Sequence, residues 1–216
     1  MNQKEGGPCA AVFDLDGTLI DSAPDMAAAV NRAFVAHGLE ATDPGVVAGL
    51  IGNGAHRLVA DLLARQRIPA APSDIEALAD AYLRCYADAP VVSTTIYPHV
   101  ARDLSALKAA GWRLGICTNK PQALTHAVLA GLGIDHLFDA IRGADAVPAR
   151  KPDPGHLRAV IEALGVDRAV YVGDTEVDEA TARAAGVPFR GVGWAAPGRL
   201  SVPEAERLAR LSELLA

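Results

Sequence analysis

Two aspartates, Asp14 and Asp16, close the short apolar run AAVF at residues 10–13, and Gly17 and Thr18 follow at once. Carboxylates that near repel each other, and at the end of a buried segment water screens them poorly. A cation, or a proton held on one of them, must offset the charge. Other apolar runs end in polar groups in the same way. Thr118 and Asn119 follow LGIC, and Asp174 follows VYVG. Lys151, in ARKPDPG, stands just before a helical stretch.

This set can do phosphoryl chemistry. Close carboxylate oxygens suit Mg²⁺, a hard cation that takes one or two carboxylates plus substrate phosphate. Asp14 and Asp174 can supply those ligands. A carboxylate can also attack phosphorus and form an aspartyl-phosphate. Thr118 and Lys151 can hold the phosphoryl oxygens, where charge must be stabilised in the transition state. Asp16 is then left to protonate the leaving oxygen and later to activate water.

The elements that would position these groups are legible from periodicity. Residues 10–13 read as a buried strand. From about 22 to 88 the pattern is helical. Ser22 can cap a helix, with Pro24 in its first turn and Asp25 three residues on; Met26, Val30 and Phe34 follow at helical spacing, and Gly38 stops it. Gly52–Asn53–Gly54 breaks the chain before the helical AHRLVADLLARQ, and Ser73 with Glu76 reads as a capping box before IEALADAYLRCYA. From about residue 93, strands alternate with helices of ten or so residues, which predicts βα units and a parallel sheet. The expected strands lie in WRLGICTN, DAIRGAD, AVYVGD and FRGVG. The expected helices lie in PQALTHAVLAGLG, PGHLRAVIEALG and EVDEATARAAG, with a last short helix after the turn-rich GWAAPGRLSVPEAE. In open parallel sheets ligands bind beyond the carboxyl ends of the strands, where all these polar groups fall.

DLDGTLIDS, CTNK, RKPDP and VGDTEVDEATARAAG resemble, in order, the four motifs of the haloacid dehalogenase-like phosphatases. The resemblance covers nearly the whole chain. It implies an α/β fold: a Rossmann-like parallel-sheet core of residues 1–19 and 93–216, with an all-helical cap, residues 20–92, inserted after the first motif. It also implies Asp14 as nucleophile and Asp16 as acid and base. The backbone carbonyl of Asp16 and the carboxylate of Asp174 become metal ligands, with Asp178 supporting the metal's waters. IGNGAHRLV, TNKP and YPHV…LSALKAAGW look like the phosphoglycolate phosphatase branch; His99 stands where that branch usually has glycine. The function implied is a Mg²⁺-dependent phosphomonoester hydrolase acting on 2-phosphoglycolate. A pyrophosphatase or broad sugar-phosphate phosphatase is the rival. A β-phosphoglucomutase-like isomerase fits less well, because its helix histidine is here Met26 and residues 20–92 contain no lysine.

Simpler readings stand beside several residues. Asp178 fits a helix first turn, where acids are favoured, as well as a metal site. Lys120 reads as a solvated or rim charge. Gly52–Asn53–Gly54 is either a tight turn or a helix N-terminus that reads the non-phosphate end of the substrate with Arg57 or His56, and Asn119 is a further substrate-binding candidate. DLDG puts its glycine too early for a calcium loop. GVGWAAPG lacks the helix that a dinucleotide fingerprint needs.

The 216 residues, half of them apolar, suit one core domain carrying an insertion. A net charge of −6 argues against nucleic-acid and anionic-membrane partners and leaves a small phosphorylated substrate open. No apolar run approaches the ~20 residues of a membrane span. Cys9, Cys85 and Cys117 are odd in number and unpaired in spacing, and the start MNQKEGGPCA has no apolar signal segment. These features predict a cytoplasmic monomer or homodimer whose first eight residues or so are loose.

Overall fold

A computed structural model of the protein describes residues 9–216. The expectation for the first eight residues lies outside that range. Five strands form one parallel sheet: β1 (Cys9–Phe13), β4 (Arg113–Cys117), β5 (Ala140–Arg142), β6 (Arg168–Gly173) and β7 (Phe189–Gly191), in the order β5-β4-β1-β6-β7. The chain runs outward from β1 on one side, then returns to lay β6 on the other. β1 is thus central, with the change of direction beside it. This is the expected α/β fold with a Rossmann-like sheet.

Side chains alternate along β1 because the strand period is two. Ala11 and Phe13 face one core with Leu104 and Leu107 of α5 (Val100–Ala109) and Val128 of α6 (Gln122–Gly131). Ala10 and Val12 face another, with Leu157 and Val160 of α7 (Pro154–Leu164) and Ala182 of α8 (Glu176–Ala185). Helices therefore cover both faces, as a parallel sheet requires.

Between β1 and α5 stand four helices: α1 (Ala23–Ala36), α2 (Pro44–Ala48), α3 (Ala55–Arg65) and α4 (Pro72–Asp88). The chain enters and leaves this insert through a two-stranded antiparallel ribbon, β2 (Ile20–Asp21) paired with β3 (Thr95–Ile96). Two residues per strand are too few to show a period in sequence. Leu58, Leu62, Tyr82 and Tyr86 of the insert join the same core as Phe13 and Leu107, so the apolar interior is continuous.

Several local expectations shift. Ser22 precedes α1 but makes no cap hydrogen bond; its hydroxyl turns to Asp16. α4 starts at Pro72, whose missing N–H suits a first turn, and the acidic partner of that end is Asp74, 3.0 Å from the Ala71 N–H, rather than Glu76. The last helix is replaced by two 3₁₀ turns, Glu204–Glu206 and Leu211–Leu215. His99, exposed ahead of α5, adopts φ +69°, the left-handed conformation that a glycine there would take without strain.

Asp25 is buried and ties α1 to the exit of the insert. It accepts the N–H groups of Val92, Ser93 and Thr94 and the Thr94 hydroxyl at 2.6–3.0 Å. Burial pushes its carboxyl up, but those donors outweigh this and hold it below the usual carboxylate range. Asp25→Ala is expected to cost about 3 kcal/mol, a fall of roughly 6–12 °C in Tm. Because the folded-state value is lowered, wild type should keep this margin above its unfolded value and lose it as pH falls through the folded one. A variant as stable as wild type at pH 7 would contradict the role. His99→Gly is expected to raise Tm by a few degrees, from about 1 kcal/mol of relieved strain; calorimetry decides it.

Candidate active site

β1 and β6 run side by side, so their carboxyl ends deliver Asp14 and Asp174 to one place. The Asp14 N–H donates to the Val172 carbonyl at 2.9 Å, which continues the ladder one residue past the strand. Gly17 then turns the chain at φ +87°; a Cβ there would lie 2.4 Å from Asp174 Oδ2, so only glycine lets the turn close on that carboxylate. The Thr18 hydroxyl donates to Asp174 Oδ1 at 2.8 Å. Ligand oxygens of Asp14, Asp174 and Asp178 all lie within 4.8 Å of one another, and all three residues are buried.

Lys151 is the counter-charge. Its Nζ is 2.9 Å from Asp14 Oδ1 and 2.7 Å from Asp178 Oδ1, and it donates to the Tyr171 hydroxyl at 3.0 Å. Burial would lower the Lys151 value, yet the two carboxylates raise it and keep the ammonium charged. Asp178 opens α8 with a reciprocal contact to Thr175 and takes four hydrogen bonds, from Lys151, Tyr171, and the Thr175 N–H and hydroxyl. Asp178 thus sits in the helix first turn and faces Lys151 at the same time, with its roughly four acceptor positions taken. Burial pushes its carboxyl up, but Lys151 outweighs this and holds it low.

Two groups here carry no motif signal. Tyr171, inside β6, bridges Lys151 and Asp178. His156, on α7, accepts the Lys151 N–H on Nδ1 at 3.3 Å and places Nε2 3.0 Å from the Arg142 carbonyl, which sets the proton on Nε2. Burial pushes the imidazole down to about 4, so it is neutral. His56 and His99 are both exposed. Only the i, i+5 spacing from Lys151 into the helix hinted at His156.

Asp16 faces the other way. Its Oδ1 accepts the Ser22 hydroxyl at 2.5 Å and sits 3.0 Å from Lys120 Nζ. Lys120 is 5% exposed, so the expectation of a solvated charge is wrong. It lies over the Tyr86 ring and donates to the Tyr86 hydroxyl at 3.0 Å, which the sequence spacing of α4 did not foretell. A cavity of about 30 Å³ joins Asp14, Asp16, Thr118, Asn119 and Lys120 to Gly52, Gly54, Leu58 and Tyr86 of the insert. The Thr118 Oγ accepts the Lys120 N–H at 3.3 Å, which leaves its own proton to give. Asn119 Nδ2 donates to the Gly52 and Lys151 carbonyls, stitching insert to core. Gly52 and Gly54 line the site, but Asn53 and Arg57 do not: both are exposed, and Arg57 pairs with Asp61 one turn on at 2.9 Å.

Residues 11–192 match the family described as haloacid dehalogenase-like hydrolase. The chain belongs to the haloacid dehalogenase-like hydrolase family. A phosphoglycolate phosphatase of Cereibacter sphaeroides is 46% identical over 179 residues, 82% of each chain. Another, named phosphoglycolate phosphatase, plasmid, from Cupriavidus necator, is 40% identical over 213 residues, 96% of this chain and 92% of its own. A crystal structure described as a predicted phosphoglycolate phosphatase from Haemophilus somnus superposes with a TM-score of 0.82 at 28% identity, over 95% of this chain and 96% of that one. The chain is therefore an enzyme, a phosphatase, and the resemblance read from its motifs holds. Among the described residues of this haloacid dehalogenase-like hydrolase no helix is long and apolar enough to cross a membrane.

The acidic cluster fits the Mg²⁺ that this family generally uses. Burial, with the neighbouring carboxylates, pushes Asp14 and Asp174 upward. As it stands the site favours protons on acids that a hard divalent cation would take in ionised form. Saturating Mg²⁺ is expected to raise Tm, since a ligand at 100 times its Kd adds about 2.7 kcal/mol. Asp174→Asn should lose most of that rise; an undiminished rise in thermal melts would place the ion elsewhere.

Proposed function

We propose that the protein is a Mg²⁺-dependent phosphomonoester hydrolase that works through an aspartyl-phosphate, with 2-phosphoglycolate as its substrate. The observation that carries this reading is the split environment of two carboxylates on one turn. Asp14 is locked between Lys151 and the acidic cluster, whereas Asp16 turns into the cavity toward Ser22 and Lys120. Two acids held in different surroundings can take two roles.

In the first step an Asp14 oxygen attacks phosphorus, the bond to the leaving oxygen breaks, and Asp16 gives that oxygen its proton. In the second step Asp16 takes a proton from the water that attacks the aspartyl-phosphate, which releases inorganic phosphate and restores Asp14. Lys151 and the Thr118 hydroxyl hold the phosphoryl oxygens. Asp14, Asp174 and the Asp16 carbonyl would hold Mg²⁺, which when bound neutralises charge on the phosphoryl group.

The helices of residues 20–92 act as a cap over a core built from the flanking segments. In support, Gly54, Leu58, Tyr82 and Tyr86 roof the cavity while the strand ends floor it. The cavity is small, about 30 Å³, which suits a leaving group of few atoms better than a sugar ring. Met26 lines the same cavity, with no histidine there to serve a mutase. Three free thiols are in keeping with a reducing, cytoplasmic setting; burial pushes the Cys117 thiol up to about 12, so it is unreactive.

Phosphate release with Mg²⁺ and with EDTA tests this reading. The expected result is a kcat/KM for 2-phosphoglycolate far above those for glucose phosphates, pyrophosphate and a nitrophenyl ester. Asp14→Asn should abolish turnover. Asp16→Asn should lose about 100-fold or more in kcat with KM largely kept. Near-wild-type activity of Asp14→Asn would overturn the nucleophile, and equal, low values across the panel would overturn the substrate.

A further inference from the structure

Among the described residues, Lys120 is the one side-chain cation on the wall of the cavity. Its ammonium has three protons. The Tyr86 hydroxyl accepts one of them at 3.0 Å, Asp16 faces the ammonium as an ion pair at 3.0 Å, and the Tyr86 ring lies 4.3 Å below. One donor is unspent on a side chain that is nonetheless buried.

Much of the surrounding wall is apolar, from Met26, Ile51, Leu58, Tyr82 and Leu124. An anion enters such a space only if it meets an opposite charge, because its desolvation is otherwise too costly. The other cations nearby differ from it: Arg150, whose Nη1 would lie 3.4 Å from a Cβ on Gly54, is exposed to solvent. Lys151 hydrogen-bonds Asp178 and Tyr171 and pairs with Asp14 at 2.9 Å, on the phosphoryl side of the turn. Arg57 pairs with Asp61 in solvent. Arg199 binds the carbonyls of Ala48 and Ile51. The insert itself has no lysine between residues 20 and 92.

We propose that Lys120 holds the carboxylate of a short phosphorylated acid, and so selects an anionic leaving group over a neutral one of the same size. This rests on the phosphoglycolate reading and assigns its specificity to a core residue rather than to the Gly52–Gly54 turn. Asp16, which serves the leaving oxygen, touches the same Nζ, so the carboxylate and that oxygen would be read a few ångströms apart, as in a two-carbon acid.

The test compares 2-phosphoglycolate with ethyl phosphate, which has the same two-carbon length and no carboxylate. Wild type should prefer the acid. Lys120→Met should lower kcat/KM for 2-phosphoglycolate about 100-fold more than for ethyl phosphate, mostly through KM, as expected for loss of one partner of a buried charge pair. Lys120→Arg should recover part of the preference. Lys120→Gln, which keeps a donor for Tyr86 and removes only the charge, should show the same selective loss and serves if Lys120→Met does not fold. An equal fall on both substrates would make Lys120 a support for Asp16 and overturn the proposal. A wild-type preference that Lys120→Met and Lys120→Gln leave intact would overturn Lys120 alone. No preference in wild type would overturn the substrate reading and this proposal together, while the aspartyl-phosphate chemistry would stand.

Discussion

Lys151 sits 2.9 Å from Asp14 and 2.7 Å from Asp178, out of water. Three carboxylates crowd that point against this one buried ammonium. Much of the nearby structure serves to keep the ammonium there. His156 fixes its backbone, Tyr171 shares its protons, and Asp178 is in turn fixed by Thr175 at the start of α8. The parallel sheet matters because it sets β1 and β6 side by side, so the charges they deliver must be balanced by a residue from a third segment. A buried pair stripped of one partner is strongly destabilising, so these residues answer to stability as well as to chemistry.

The two aspartates that share a turn both reach the cavity but keep different partners. Asp14 belongs to the dry, acidic side, where a proton or a metal settles the charge. Asp16 belongs to a cavity whose roof comes from the insert and whose one ammonium comes from the core. Under the proposed function, chemistry on phosphorus and choice of leaving group use different cations, Lys151 and Lys120, on opposite sides of one short loop.

Much of this was legible in the sequence. Apolar runs and helical spacing marked the strands and helices, and the polar residues after those runs singled out Asp14, Asp16, Thr118 and Asp174, with Lys151 ahead of a helix. What stayed hidden depends on contacts between distant segments. The ribbon of β2 and β3 is too short for a pattern. The spacing of Ser22 fits a helix cap, but the Asp16 carboxylate takes its hydroxyl instead. Lys120 looked like a surface charge because lysines usually are; only the folded chain brings Tyr86 over it. Arg57 sits in the right segment, yet it lies on a helix face turned outward.

Arg199 gives one of these contacts a further meaning. Its guanidinium grips the Ala48 and Ile51 carbonyls of the insert and its Nε lies 3.9 Å from Asp174 Oδ2. The turn before α3 and a carboxylate of the acidic cluster are thus wired to the same positive charge. A displacement of that turn carries the charge with it or lets it go, and the field at Asp174 changes either way. Through this one side chain, a mechanical coordinate of the helices becomes an electrical coordinate of the site.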